Sequence, residues 1–165
     1  MRKSLFVNKS AIIEKIIAVL DAELAMYAKS ARSAHEEATH EQSKAENKYD
    51  TRGLEASYLA QGQGNLAMET LKAREEFATL KPRDFGKDDP IDIGALVELE
   101  SPEELSTYFI GSRAGGTEIT HQRKTILVIT PQSPLGSQLI GRKQGDTLEI
   151  SIGRSKSKYQ ITHVI

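Results

Sequence analysis

The sequence has no cysteine and no tryptophan, and it contains no long hydrophobic run. Without cysteine there is no disulfide, no thiol nucleophile and no Cys-ligated zinc or iron–sulfur cluster. No stretch approaches the roughly 18 apolar residues of a membrane span. The opening Met1-Arg2-Lys3 is followed by Lys9, Glu14 and Lys15, which interrupt any apolar segment of a secretory signal. A soluble cytoplasmic protein with no membrane partner is the expectation. An excess of one charge is missing too: 22 Lys and Arg face 23 Asp and Glu, a net charge of -1 over 165 residues. Independent DNA binding through a broad basic footprint is therefore not expected, because phosphate affinity grows with the cations deployed. Apolar residues make up 38% of the chain, little for a compact globule, and the surplus polar surface points to an extended element.

Proline is absent from the first 80 residues; all five prolines, and nine of the twelve glycines, come later. The first part thus lacks the strongest helix breaker, and the second is punctuated like a β-rich domain. In residues 9–40 the apolar positions Ile13, Ile16, Ile17, Leu20, Leu24, Tyr27, Ala28, Ala31, Ala34 and Ala38 fall three and four apart, one stripe on a long helix. Residues 54–80 carry Leu59, Leu66, Ala73 and Leu80 seven apart, the repeat of a coiled-coil seam. Two such helices in succession predict an antiparallel hairpin over residues 1–80, with arms of roughly 30 residues reaching ~45 Å. Its tip, at about residues 40–56, has no aliphatic side chain larger than Ala between Thr39 and Gly53. Residues 81–90, polar and bounded by Pro82 and Pro90, read as a linker.

Residues 91–165 read as a small antiparallel sheet domain with one helix, which makes the fold class α+β. Strands are expected at 95–99, 105–110, 126–129, 146–152 and 158–165, with a short helix at 137–141 and a hairpin turn over 153–157. The run Ile126-Leu127-Val128-Ile129 is apolar throughout, as in a strand buried on both faces.

No self-contained catalytic constellation is present. His35 and His40 are five apart, the wrong spacing for a helical metal pair, and His121 and His163 are isolated. There is no Gly-x-Ser-x-Gly elbow, phosphate loop or dinucleotide fingerprint. The chemically suggestive place is the polar tip. Glu46 and Asp50 are four apart, so one helical turn would put both carboxylates on one face, flanked by Glu41 and Glu55. Clustered carboxylates attract hard divalent cations such as Mg²⁺. Two alone hold Mg²⁺ poorly but could complete a site that a partner supplies. Lys44, Lys48 and Arg52 interleave with them at the same spacing, so i,i+4 ion pairing on a solvated turn is the competing reading.

The second half resembles the Gre family of bacterial transcript cleavage and elongation factors. The residues that carry the resemblance are Ser133-Pro134-Leu135-Gly136, then Leu139-Ile140-Gly141-Arg142, Gly145-Asp146 and the strand start Thr147-Leu148-Glu149-Ile150, with Ile93-Gly94-Ala95-Leu96-Val97 as the domain's opening. A helical hairpin followed by such a domain is also the family's order. The resemblance implies an FKBP-like fold for residues 91–165, without prolyl isomerase activity. It implies docking on the rim of the RNA polymerase secondary channel through Gln132, Ser133 and Pro134, with Gln132 standing where the family carries Asp or Asn. It further implies that Glu46 and Asp50 are the tip acids, sharing Mg²⁺ with RNA polymerase while the polymerase's own active site cleaves backtracked RNA. The chain would then be an accessory factor, not an enzyme, meeting the RNA only indirectly and with no intrinsic cofactor. The tip departs from the family pattern. Aligned on Glu46-Asn47, Ser43 stands where the first Asp is expected. Aligned on the second helix, Tyr58 matches the family's Tyr and Leu54 falls near its Glu. Neither register supplies both acids, so a Gre-type regulator that does not promote cleavage stands beside the cleavage factor. A coiled-coil adaptor that self-associates through the heptad leucines is the reading from a different class.

Overall fold

A computed structural model describes residues 7–40 and 52–165; the side chains of 52–56 and of Ile152 are outside the description. The chain divides into two compact units, one of Ala18–Glu75 and one that combines the chain up to Ile17 with Glu76–Ile165. Two helices, α1 (Lys9–Thr39) and α2 (Arg52–Thr79), precede six strands and a short helix. Among the described residues no helix is long and apolar enough to cross a membrane.

The first unit is the helix pair. On α1 the covered positions are Leu20, Leu24, Tyr27, Ala31, Ala34 and Ala38, a four-three alternation that follows the predicted stripe, with Ala28 alone turned outward among those beyond residue 17. On α2 the seam differs from the one the leucine repeat suggests. Leu59 and Leu66 are 56% and 45% exposed. Ala73 of the same repeat is buried, and the other shielded positions are Ala60, Gln63, Gly64, Ala67, Thr70, Leu71 and Arg74. The predicted repeat is thus covered at its later end and exposed at its earlier one. Arg74 Nε donates to Asp21 Oδ1 at 2.8 Å, tying an early turn of α1 to a late turn of α2, as an antiparallel pair requires.

The second unit is built on a sheet of β1 (Leu96–Glu100), β2 (Leu105–Ile110), β3 (Glu118–His121), β4 (Lys124–Ile129), β5 (Thr147–Ile152) and β6 (Ser155–Val164), in the order β3-β4-β2-β1-β6-β5. Four of the five pairings are antiparallel, but β2 and β4 run parallel, Thr107 beside Ile126 and Ile110 beside Ile129. The sheet is therefore mixed. The cause is β3, whose single apolar side chain gave no periodic signal. After β2 the chain leaves one slot open, lays down β3, and turns back through Gln122-Arg123 to fill that slot with β4. Both turn residues have positive φ, 50° and 65°, the backbone a two-residue hairpin demands.

One face of the sheet carries Val97, Leu99, Ile110, Ile129 and Ile161 against Leu139 of the short helix α3 (Pro134–Leu139). On the other face Phe109 meets Phe77, with ring centroids 6.0 Å apart. Ile12 and Ile16, at the start of α1, are fully buried. Segment 81–90 has no helix or strand, yet it is fastened: Phe85 is buried, and Gly86 N donates to Asp89 Oδ2 at 2.7 Å. Above the Phe85 ring lies the ammonium of Lys9, 4.6 Å from its centroid. That ammonium donates to the carbonyls of Arg83 and Gly94, the latter at 3.0 Å.

Lys9 is almost wholly buried, and burial, only partly offset by nearby Asp84, lowers its pKa from 10.5 to about 8. Between these values the unfolded chain binds more protons than the folded one, so stability should rise with pH from about 8 to 10.5. Urea unfolding across that range should show a gain of ~1–3 kcal/mol in the wild type. In Lys9→Met the gain should be absent. Parallel curves for the two proteins would remove Lys9 as its source.

Candidate functional site

The turn that leaves β4 is held by one hydroxyl. Ser133 is the N-cap of α3, in extended conformation at φ -69° and ψ 153°. Its Oγ accepts from Gly136 N at 3.0 Å and donates to Thr130 O at 2.8 Å. Pro134 occupies the first helical turn, where a missing N–H costs nothing. Gly136 is required because a Cβ there would lie 1.9 Å from Thr130 O. Leu139 then enters the core, and Gly141 turns the chain with φ 81°. Gly141 N donates to Ile91 O at 2.9 Å, and Ile91 N to Arg142 O at 2.8 Å. Arg142 braces the same corner, its Nε donating to Gln138 O at 2.6 Å and its Nη1 to Thr147 O at 3.0 Å. Asp146 caps the next turn by accepting from Lys143 N, and Gly145, at φ 96°, donates to Ile161 O at 2.7 Å. The helix starts at Pro134 and ends at Leu139, three residues earlier than the sequence suggests at its start, because Ser-Pro supplies a cap and a first turn that the apolar pattern does not reveal.

Of the three residues expected to dock, Gln132 and Pro134 are exposed and Ser133 is half-buried. The Ser133 hydroxyl is already engaged on both sides, so it shapes the turn, while the Gln132 amide and the Pro134 ring form its outward surface. Glu46 and Asp50, the expected tip acids, lie outside the described residues. Among the described residues no three His, Asp or Glu side chains gather as metal ligands. Nothing described therefore offers a fit to Mg²⁺.

Sequence reading missed two clusters. Glu98, on β1, accepts from Lys124 and lies 3.1 Å from Nδ1 of His163, linking β4 and β6 across the sheet. Glu76 accepts from Ser112 and from Arg113 Nε, which holds its carboxyl below the usual range, the Ser112 hydrogen bond being the larger cause. Partners so distant in sequence leave no local signature.

Residues 86–165 match the family described as transcription elongation factor, GreA/GreB, C-terminal. Residues 86–165 thus carry the Gre C-terminal domain. Transcription elongation factor GreA of Desulfovibrio desulfuricans is 28% identical over 114 residues, 68% of this chain and 67% of that one. Transcription inhibitor protein Gfh1 of Thermus aquaticus is 27% identical over 119 residues, 70% of this chain and 71% of that one. The crystal structure of Thermus aquaticus Gfh1 aligns over 92% of both chains at 21% identity with a TM-score of 0.39.

The Ser133 cap and the Gly136 approach predict a graded series in urea unfolding. Ser133→Ala should cost about 1 kcal/mol, and Gly136→Ala about 2–4 kcal/mol, since backbone must move to admit the methyl. Gln132→Ala should stay within about 0.5 kcal/mol of wild type. A neutral Gly136→Ala would contradict the close approach.

Proposed function

We propose that this protein is a Gre-type transcription elongation factor that binds RNA polymerase at the rim of its secondary channel and presents the polar end of its helix pair to the polymerase active site. The observation that supports this most is the family match over 86–165, whose motif residues build the turn that exposes Gln132 and Pro134. The long helix pair ahead of it is the element that such delivery needs. On this reading the turn docks, and Glu46 and Asp50 are carried toward the active site. The RNA bond is broken by the polymerase, so the chain is an accessory factor with no chemistry of its own. Mg²⁺, when bound between polymerase and tip, supplies the positive charge that a cleaved phosphodiester needs. This chain's part is to bring carboxylates to it.

A second reading keeps the docking and drops the cleavage. It is favoured by Ser43, which stands where the family carries the first tip acid, and by the match to two proteins named transcription inhibitors.

Two measurements test these readings. Binding to RNA polymerase should weaken about tenfold in a Gln132→Ala, Pro134→Ala double variant, a loss of ~1.4 kcal/mol, while its thermal midpoint stays unchanged. Equal affinity would reject the docking turn. In a stalled, backtracked elongation complex titrated with Mg²⁺, a cleavage factor should shorten the RNA, and Glu46→Ala or Asp50→Ala should abolish the shortening. If transcripts stay intact but the protein blocks cleavage by a known Gre factor, the non-cleaving reading holds.

A further inference from the structure

β6 is ten residues long, but β1 covers only part of it. The partners of β1 on β6 are Gln160, Ile161, His163 and Val164. β5 pairs with β6 from Ser155 to Gln160. Beyond Leu148 and Tyr159, which are buried, residues 149–158 form a two-stranded ribbon with no third strand, at the edge of the sheet. It closes through Gly153-Arg154, so the turn is tighter than the 153–157 segment that the sequence suggests. Ser155, Lys156 and Ser157 are strand residues, and their polar side chains disguised them.

Lys156 and Lys158, two apart on β6, share a face, and Arg154 stands in the adjoining turn. All three are exposed, and none has a hydrogen-bond or ion-pair partner among the described residues. Several other cations of this unit are engaged, Lys9 and Lys15 with carbonyls, Arg113 and Lys124 with carboxylates and Arg142 with carbonyls, while Lys81, Lys87, Arg123 and Lys143 are exposed elsewhere in the sequence rather than grouped on one hairpin. One acid shares the ribbon face, Glu149 opposite Lys158, and Ser151 stands opposite Lys156. Glu103 and Glu104 line the cleft beside Lys156 and Lys158, where Glu104 accepts from the Tyr159 hydroxyl at 3.4 Å.

We infer that this ribbon is a contact surface for the phosphodiester backbone of a single nucleic-acid strand. Lys156 and Lys158, on alternate strand residues, are spaced by roughly 6.7 Å, about the separation of neighbouring phosphates along one strand, and Arg154 follows at the turn. A single row of cations tracks one backbone. Ser151, paired with Lys156 on the same face, adds a hydroxyl donor of the kind that binds phosphate oxygens. A protein partner fits less well. Protein interfaces are anchored by buried aromatic or apolar side chains and are depleted in lysine, and the row of cations has neither Tyr, Phe nor Trp within it. No group here is placed to read base edges, so the contact is independent of base sequence. The near-zero net charge argues against a broad footprint but not against a local row of three cations. This surface is separate from the docking turn and does not depend on the polymerase reading.

The test is fluorescence anisotropy of the full-length protein with labelled single-stranded RNA and DNA 20-mers between 20 and 200 mM NaCl. The wild type should bind, with a slope of log K against log salt near -2, the value for about three contacts on a single strand. A triple variant, Arg154→Gln, Lys156→Gln, Lys158→Gln, should bind at least about tenfold more weakly with a slope nearer zero, while its thermal midpoint shows an intact fold. A Lys44→Gln, Lys48→Gln variant should bind like wild type. Undiminished binding by the triple variant, or no wild-type binding at low salt, overturns the inference. So does displacement by polyglutamate as effectively as by unlabelled oligonucleotide, which would make the ribbon a site for acidic polypeptide.

Discussion

The sheet unit depends on the parallel pairing of β2 with β4. Because these central strands run the same way, Ile110 and Ile129 leave the sheet at the same end. There Gly111 N donates to Ile129 O at 2.9 Å, and an added Cβ on Gly111 would meet Phe77 and Val128 at 2.9–3.0 Å. The Thr130–Ser133 turn starts from that end, beside Gly115, whose Cβ would lie 3.3 Å from Thr130 Cγ2. An antiparallel β4 would send the turn, the cap and α3 to the opposite edge. The hairpin through Gln122-Arg123 is what permits the pairing, and its two left-handed residues are the local strain that it costs.

The helix pair illustrates how the same residues can support two readings. The four-three stripe on α1 was legible because it is aliphatic at one end and Ala at the other, and it recurs at helical spacing along the whole helix. On α2 the leucines at 59 and 66 are the most apolar repeat, yet they stay in water while Ala60, Ala67 and Ala73 face inward. In the sheet unit β4 was legible from a continuous apolar run, and β1 and β2 from short segments rich in apolar and aromatic residues. β3 and the outer half of β6 were not, since strands outside the core need no apolar period. The parallel pairing could not be read from any local pattern.

The candidate site was legible in a particular sense. Ser133, Pro134, Gly136, Gly141 and Gly145 betray the family because the backbone there tolerates few alternatives. Their work is to cap, to turn and to avoid a clash. Gln132, which carries no such constraint, is the residue left free to meet something else. Lys9 was illegible because its partners, Arg83 and Gly94, are more than 70 residues away and offer only main-chain oxygens. The motif and the outward surface of the turn thus overlap at Pro134, and Gln132 belongs to the surface alone.

The composition of the helix seam also sets how the pair comes apart. Near Leu20 and Leu24 each turn buries large side chains, whereas from Ala31 to Ala38 each turn buries little more than methyl groups. At ~25 cal/mol per Å² of apolar surface, the grip per turn falls by more than half along α1. Separation is thus cheapest farthest from Leu20, and amide protons there should exchange through local openings that leave the rest intact. The pair behaves as a zipper with graded teeth, open to remodelling at one end and closed at the other.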